Sequence, residues 1–224
     1  MGMDLSDFER RMASKEFVKI AFDAFLKTRE LETGISDLRL RTGDFNKKLV
    51  EEILPIAVFI GSFERVGLNV ECQYFSGDQS YDARLYCDGL LVEKKSVLNE
   101  YYIEVSLACH PKDYLKRQAT EQGVPVFGGN QIEKVNGIIS SLPSVRTIDS
   151  IISEHFDFIN QRIAKKASGS YPDNTYLIVP LFPDTLILWN EWTSIIGKFS
   201  SCITAMPFSG IFIYDTVSNR KCLF

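Results

Sequence analysis

Apolar residues recur at three- and four-residue spacing through the first part of the chain and at every second position through its middle, so helices come first and strands follow. Phe8, Met12, Phe17, Ile20, Ala21, Ala24 and Phe25 form stripes that predict a helix over residues 7–31. Ser6 and Glu9 stand at the spacing of a capping box at its start. A connector over 34–41 leads to a second helix with Asp44 as N-cap and Leu49, Ile53, Ile56 and Ile60 on one face. Pro55 lies inside that helix, where a missing N–H and a ring clash predict a kink or the loss of one hydrogen bond. The period then drops to two. Residues 68–75 and 81–87 read as strands on either side of a turn at 76–79, and Asp88-Gly89 reads as a tight turn or a bulge.

Residues 99–108 give the clearest strand. Pro111 opens a short helix to Gln122 that Gly123 stops. A loop over 124–130 and a stretch without a defined period to 144 precede a long helix over 147–167, whose inner face carries Ile148, Ile151, Ile152, His155, Phe156, Ile159 and Ile163. Residues 176–182 form an apolar strand in which Pro180 predicts an irregular end or a place at the sheet edge. A last strand covers 208–214. The order α, α, β, β, β, α, α, β, β predicts one α/β (α+β) domain over 1–224, a mixed central sheet flanked by helices.

Composition narrows the function classes. The chain has 224 residues, 45% hydrophobic and 24% charged, which are globular values. Its longest apolar run, residues 53–60, is far below the roughly 20 residues that span a bilayer. The first residues lack the apolar stretch of a signal peptide. Five scattered cysteines, never spaced as C-x-x-C, offer neither a disulfide framework nor a zinc knuckle and suit a reducing compartment, so the expected location is cytoplasmic, with no membrane partner. A formal charge of −4 gives no general attraction for a phosphate backbone, so any contact with DNA needs a local basic patch. The sequence leaves the oligomeric state open, and a homodimer is compatible with it.

Alternation along the 99–108 strand puts Tyr102, Glu104, Ser106 and Ala108 on one face. A carboxylate in so apolar a strand is costly to bury alone, so Glu104 needs a cation, a metal or water. Asp82 opens a neighbouring strand. Converging carboxylates repel unless a proton or a hard cation lies between them, and Mg²⁺ or Mn²⁺ held so polarises a phosphodiester and activates water.

With Asp82 and the run Ile103-Glu104-Val105-Ser106, the element order resembles the PD-(D/E)XK nuclease superfamily, the restriction-endonuclease-like fold. The resemblance covers 44–216 and leaves 1–43 as an N-terminal helical extension. It implies that Asp82 and Glu104 hold Mg²⁺ and that an acidic residue on the preceding helix joins them: Glu52, with Glu51 and Glu64 as rivals. The superfamily's lysine, two residues after the glutamate, orients the attacking water. Here that position is Ser106, and Tyr81 stands where a proline is usual. Some members relocate the lysine, and Lys112, Lys116 and Arg117 are the nearest cations in sequence. Gln118 resembles the polar residue of the following helix that faces such sites.

The implied activity is metal-dependent hydrolysis of DNA. The alternative is a nuclease-like scaffold that has lost its chemistry and serves as an interaction module. Plainer readings also exist for each residue. Asp82 pairs with Arg84 on its own strand face, and Glu104 with a cation of the 112–122 helix. His110 is an N-cap or loop residue, Cys109 a packed thiol and His155 a core histidine. Trp189 and Trp192 belong to the core, and Glu93-Lys94-Lys95 is a solvated hairpin tip.

Overall fold

The computed structural model describes residues 4–126, 131–143, 145–183, 186–200 and 206–224. Part of the 124–130 loop and Cys202 lie outside the described residues. One mixed sheet organises the rest. It runs β1 (Met12–Ala13), β2 (Asn69–Tyr74), β3 (Ala83–Asp88), β4 (Glu100–Val105), β8 (Thr175–Phe182), β9 (Gly210–Asp215) and β10 (Lys221–Leu223), with β5 (Ala108–Cys109) also paired to β8. Pairing is antiparallel from β1 to β4, parallel across β4, β8 and β9, and antiparallel again at β10.

The expected first helix is broken in two. α1 (Ser6–Glu9) ends at Arg10, whose extended backbone carries the chain into β1, and α2 (Ser14–Arg29) follows. The ladder of Met12 to Cys72 satisfies backbone groups at a sheet edge and outweighs local helical preference. The capping box does not form: Asp4 accepts the Ser6 N–H, and Glu9 accepts from the Ser76 hydroxyl. Phe8, Phe17, Ala21 and Ala24 enter the same core as the central strands, so the N-terminal segment is woven into the domain.

The expected connector is a helix, α3 (Gly34–Leu40). The next helix is continuous through α4 (Gly43–Lys48), a π turn (Leu49–Ile53) and α5 (Leu54–Phe63). A wide turn lies just ahead of Pro55, where a kink or the loss of one hydrogen bond is expected. Leu49, Ile53, Ile56 and Ile60 are buried as the spacing predicts. With α2 they cover one sheet face. The other face, at β8 and β9, lies under α8 (Ile148–Ala167) and α9 (Trp189–Ser200).

Gly89 carries a φ of +99° and leads into α6 (Leu90–Glu93), so Glu93-Lys94-Lys95 closes a helical connection and not a hairpin. α7 (Asp113–Glu121) is followed by Gly123 at φ +69°, as expected of its stop residue. The undefined stretch is a hairpin, β6 (Ile132–Val135) and β7 (Ile138–Ser141), turned by Asn136-Gly137 with both φ positive. α9 was not predicted; Trp192, Ile195 and Phe199 are its buried stripe, while Trp189 is exposed.

Of the two placements expected for Pro180, an irregular end or the sheet edge, the edge is ruled out, because β8 lies between β4 and β9. The Ile178 carbonyl accepts the Ser106 N–H, so alternation turns the Pro180 nitrogen to the same side. There the neighbouring strand is interrupted between β4 and β5, and no ladder bond is required of it.

Two glycines test these backbone assignments. A Cβ on Gly34 would lie 1.7 Å from the Thr28 carbonyl oxygen, whereas one on Gly61, in α5, meets nothing within 4 Å. Denaturant unfolding should show Gly34→Ala destabilised by about 2 kcal/mol or more and Gly61→Ala stabilised by about 0.5–1 kcal/mol. Equal effects of the two substitutions would contradict the α2–α3 packing.

Candidate active site

The β3–β4 ladder ends at the pair Ala83 and Ile103. Asp82 stands just beyond it, where the strands part. Its N–H donates to the Ile103 carbonyl at 2.7 Å, and its carbonyl accepts the Phe75 N–H at 2.8 Å. Its Oδ2 accepts the Val105 N–H at 2.7 Å. Asp82 is thus pinned at the seam beside Glu104, and Arg84 pairs with Glu100 instead of with Asp82.

Glu104 is 6% exposed, on the strand face that α8 approaches. Its partner is Lys166, in the last turn of α8, whose Nζ donates to Oε1. Glu52 reaches the same region from the π turn and accepts the Tyr74 hydroxyl of β2. Its two sequence rivals are committed elsewhere: Glu51 to Arg41 and Glu64 to the Ser14 hydroxyl.

Electrostatics ties these groups together. Burial, then the charges of Glu104 and Glu52, push the Asp82 carboxyl up to about 8, against the Val105 hydrogen bond and Lys166. Burial also raises Glu104, although the Lys166 hydrogen bond and charge oppose it. Glu52 is raised by burial despite its bond from Tyr74 and the nearby Lys48. For Lys166, burial favours the neutral amine, but the hydrogen bond and charge of Glu104 outweigh it and the pKa rises. Tyr171 lies close enough to feel Glu104, Lys166 and Asp82, and burial raises its hydroxyl.

The cations closest in sequence do not reach this site. Lys112 Nζ donates to the Ile132 carbonyl, and Arg117 bonds to the Arg39 carbonyl and to Asp113. Lys116 is buried within α7. Gln118 accepts from Lys134 of the β6–β7 hairpin and so faces away from the carboxylates. The physical reason is the β4–β5 break: the chain continues along β8 through Ala108 and Cys109 before α7 begins, which carries the helix past the seam. His110 behaves as the expected helix-start residue, its Nδ1 accepting the Lys112 N–H at 2.9 Å. His155 is fully buried, and burial raises the Cys109 thiol.

Ser106 is buried and shares a cleft of about 590 Å³ with Lys166. Lys47, Arg162 and Lys165 also line that cleft, together with the Arg41–Glu51 pair, a local basic patch on a chain of net charge −4. Lys166 is the residue sequence reasoning missed. Its signal was the Lys165-Lys166 pair closing the apolar face of the 147–167 helix.

Among the described residues no three His, Cys, Asp or Glu side chains group tightly enough to enclose an ion. The donor set that remains, Asp82 and Glu104 with acidic Glu52 behind, suits a hard cation that keeps several waters and takes only one or two carboxylates. The residues therefore fit Mg²⁺ or Mn²⁺ better than a soft metal, which would want thiolate or imidazole.

The architecture is a mixed α/β domain with a central mixed sheet flanked by helices, and the site lies where two of its strands part. The chain matches no protein-family model, no curated protein and no solved structure.

The raised Asp82 carboxyl sets a pH dependence. Its folded pKa, about 8, exceeds its ordinary value of 3.8, so the folded state holds a proton that the unfolded chain has lost. Stability from this group is full below the ordinary value and is lost as pH rises toward 8. Metal-free Asp82→Asn should therefore melt several degrees above wild type at pH 8 and lose less stability between pH 5 and pH 8. A mutant that melts below wild type at pH 8 would contradict the repulsion.

Proposed function

We propose that the chain is a Mg²⁺- or Mn²⁺-dependent nuclease-like hydrolase that cuts DNA phosphodiesters, with a restriction-endonuclease-like core. The observation that carries this reading is Lys166: it reaches from α8 to Glu104 and lines the cleft beside Ser106. A lysine from another element thus lies in the cleft beside the position where the PD-(D/E)XK pattern has its own lysine and this chain has Ser106.

In this reading Asp82 and Glu104 hold the cation, with Glu52 acting through water or by a shift from Tyr74. A divalent cation bound there supplies polarisation of the phosphodiester and an activated water. Asp82 must give up its proton first, and the positive charge of the incoming ion favours that loss. Lys166 orients the attacking water and stabilises negative charge gathering on the phosphoryl oxygens. Ser106 shapes the wall. Lys47, Arg162 and Lys165 draw the phosphate backbone to the cleft despite the chain's negative sum.

One observation favours the second reading, an interaction module without catalysis. Lys166 already neutralises Glu104, as a structural ion pair does. Cleavage assays separate the two. Wild type should cut plasmid and linear DNA in Mg²⁺ or Mn²⁺, and Asp82→Asn and Glu104→Gln should abolish cutting. Lys166→Ala should lower the rate by about 10²–10³-fold while metal binding persists, the cost of removing one preorganised donor to the transition state. A folded wild type that neither binds Mn²⁺ nor cuts any DNA overturns the enzyme and leaves the module.

A further inference from the structure

The sheet face that carries Glu104 continues past the metal site onto β3 and β2. Along β2, β3 and β4 the residues Val70, Cys72, Ala83, Leu85, Tyr101 and Ile103 are buried under α2 and α5. Their alternates Gln73, Arg84, Tyr86 and Tyr102 face the other way and are half-exposed. The buried cluster under α8 and α9 takes side chains from β5, β8 and β9 and none from β2 or β3. The sheet therefore presents an open face directly beside Asp82.

That face is a ladder of rings and guanidiniums. Arg11 lies 4.0 Å from the Tyr86 ring centre, and Arg84 lies 4.8 Å from Tyr86 and 5.5 Å from Tyr102. Tyr102 meets Tyr81 at 4.8 Å, and Tyr81 meets Phe75 at 5.4 Å. Register explains the spacing, since Arg84 is opposite Tyr102 and Gln73 on its two flanks. Glu71 pairs with Arg11 and Glu100 with Arg84, which holds both guanidiniums against the rings and cancels their charge. Tyr81 and Tyr102 end the ladder one residue from Asp82 and two from Glu104.

We propose that this face is a stacking platform for single-stranded DNA, which it leads across Asp82 and Glu104 into the basic cleft. The proposal rests on the nuclease reading and names its substrate: a single strand, an overhang or a flap. Charge and shape argue for that occupant. The ladder presents guanidinium planes laid on its rings, and ring edges between them, with the guanidinium charge cancelled by Glu71 and Glu100. It attracts phosphate little and recognises unpaired bases, which stack on guanidinium planes as they do on rings. A duplex hides its base faces in its own stack. Phosphates are met beyond the carboxylates, by Lys47, Arg162 and Lys165. Platform and cleft flank the two carboxylates, so one strand touching both lays a phosphodiester at the metal site.

Fluorescence anisotropy tests this with a labelled oligothymidylate of about 15 nucleotides and a blunt duplex of equal length. Ca²⁺ replaces Mg²⁺ so that nothing is cut. The expected result is tighter binding of the single strand, weakened about tenfold in Tyr86→Leu and again in Tyr81→Leu. Leucine keeps apolar cover on the face, and melting curves identify any variant that fails to fold; Arg11→Gln, at the exposed end of the ladder, then serves in its place. Equal affinity for duplex and single strand, or unchanged single-strand affinity in the folded variants, overturns the platform. Single-strand binding that is lost in these variants, with no cleavage in Mg²⁺, keeps the platform and refutes only the nuclease reading.

Discussion

The site depends on crowding of like charge at a partly dry seam. The charges of Glu104 and Glu52 act on Asp82, with Lys166 on Glu104 and Lys48 acting on Glu52. Two carboxylates cannot both ionise comfortably where burial already disfavours charge, so one must hold a proton or share a cation. The protein maintains this arrangement through the backbone. The Val105 N–H clamps Asp82, and the parting of β3 and β4 keeps the ladder from closing over both side chains. A group kept in such tension marks a candidate functional site.

Three irregularities surround that seam, and each has a local cause. The π turn ahead of Pro55 turns Glu52 toward Tyr74. The interruption between β4 and β5 follows Ser106, whose N–H still bonds to β8 while its residue lines the cleft, and it tolerates Pro180 in a central strand. The end of α8 sets Lys166 above Glu104. Regular structure on either side of the sheet supplies the stability that such departures cost.

Much of this was legible in the chain. Period-two alternation located the strands that carry Asp82 and Glu104, and the i, i+3, i+4 stripes located α8 and the buried face of the helix at 43–63. The mixed sheet flanked by helices followed from their order. What escaped were features decided at a distance. β1 forms because β2 offers an edge, although residues 10–13 read as helix. Lys166 meets Glu104 only through the crossover to β8, so proximity in sequence pointed to Lys112, Lys116 and Arg117 on the wrong helix. Gln118 was drawn to Lys134 by a hairpin whose Asn136-Gly137 turn was readable but unused. Glu52 was preferred over Glu51 and Glu64 from the sequence, and what the sequence did not show is that Arg41 and Ser14 hold those rivals.

Calorimetric titration of the folded protein with Mn²⁺ in two buffers of different ionisation enthalpy probes the central claim most directly. If Asp82 and Glu104 share one cation, Mn²⁺ binds at a single site, and at pH 7 close to one proton is released per ion, because Asp82 is protonated beforehand with a pKa of about 8. The affinity should rise with pH up to that value and then level off. Absence of Mn²⁺ binding, or binding with no proton release at pH 7, would contradict the account.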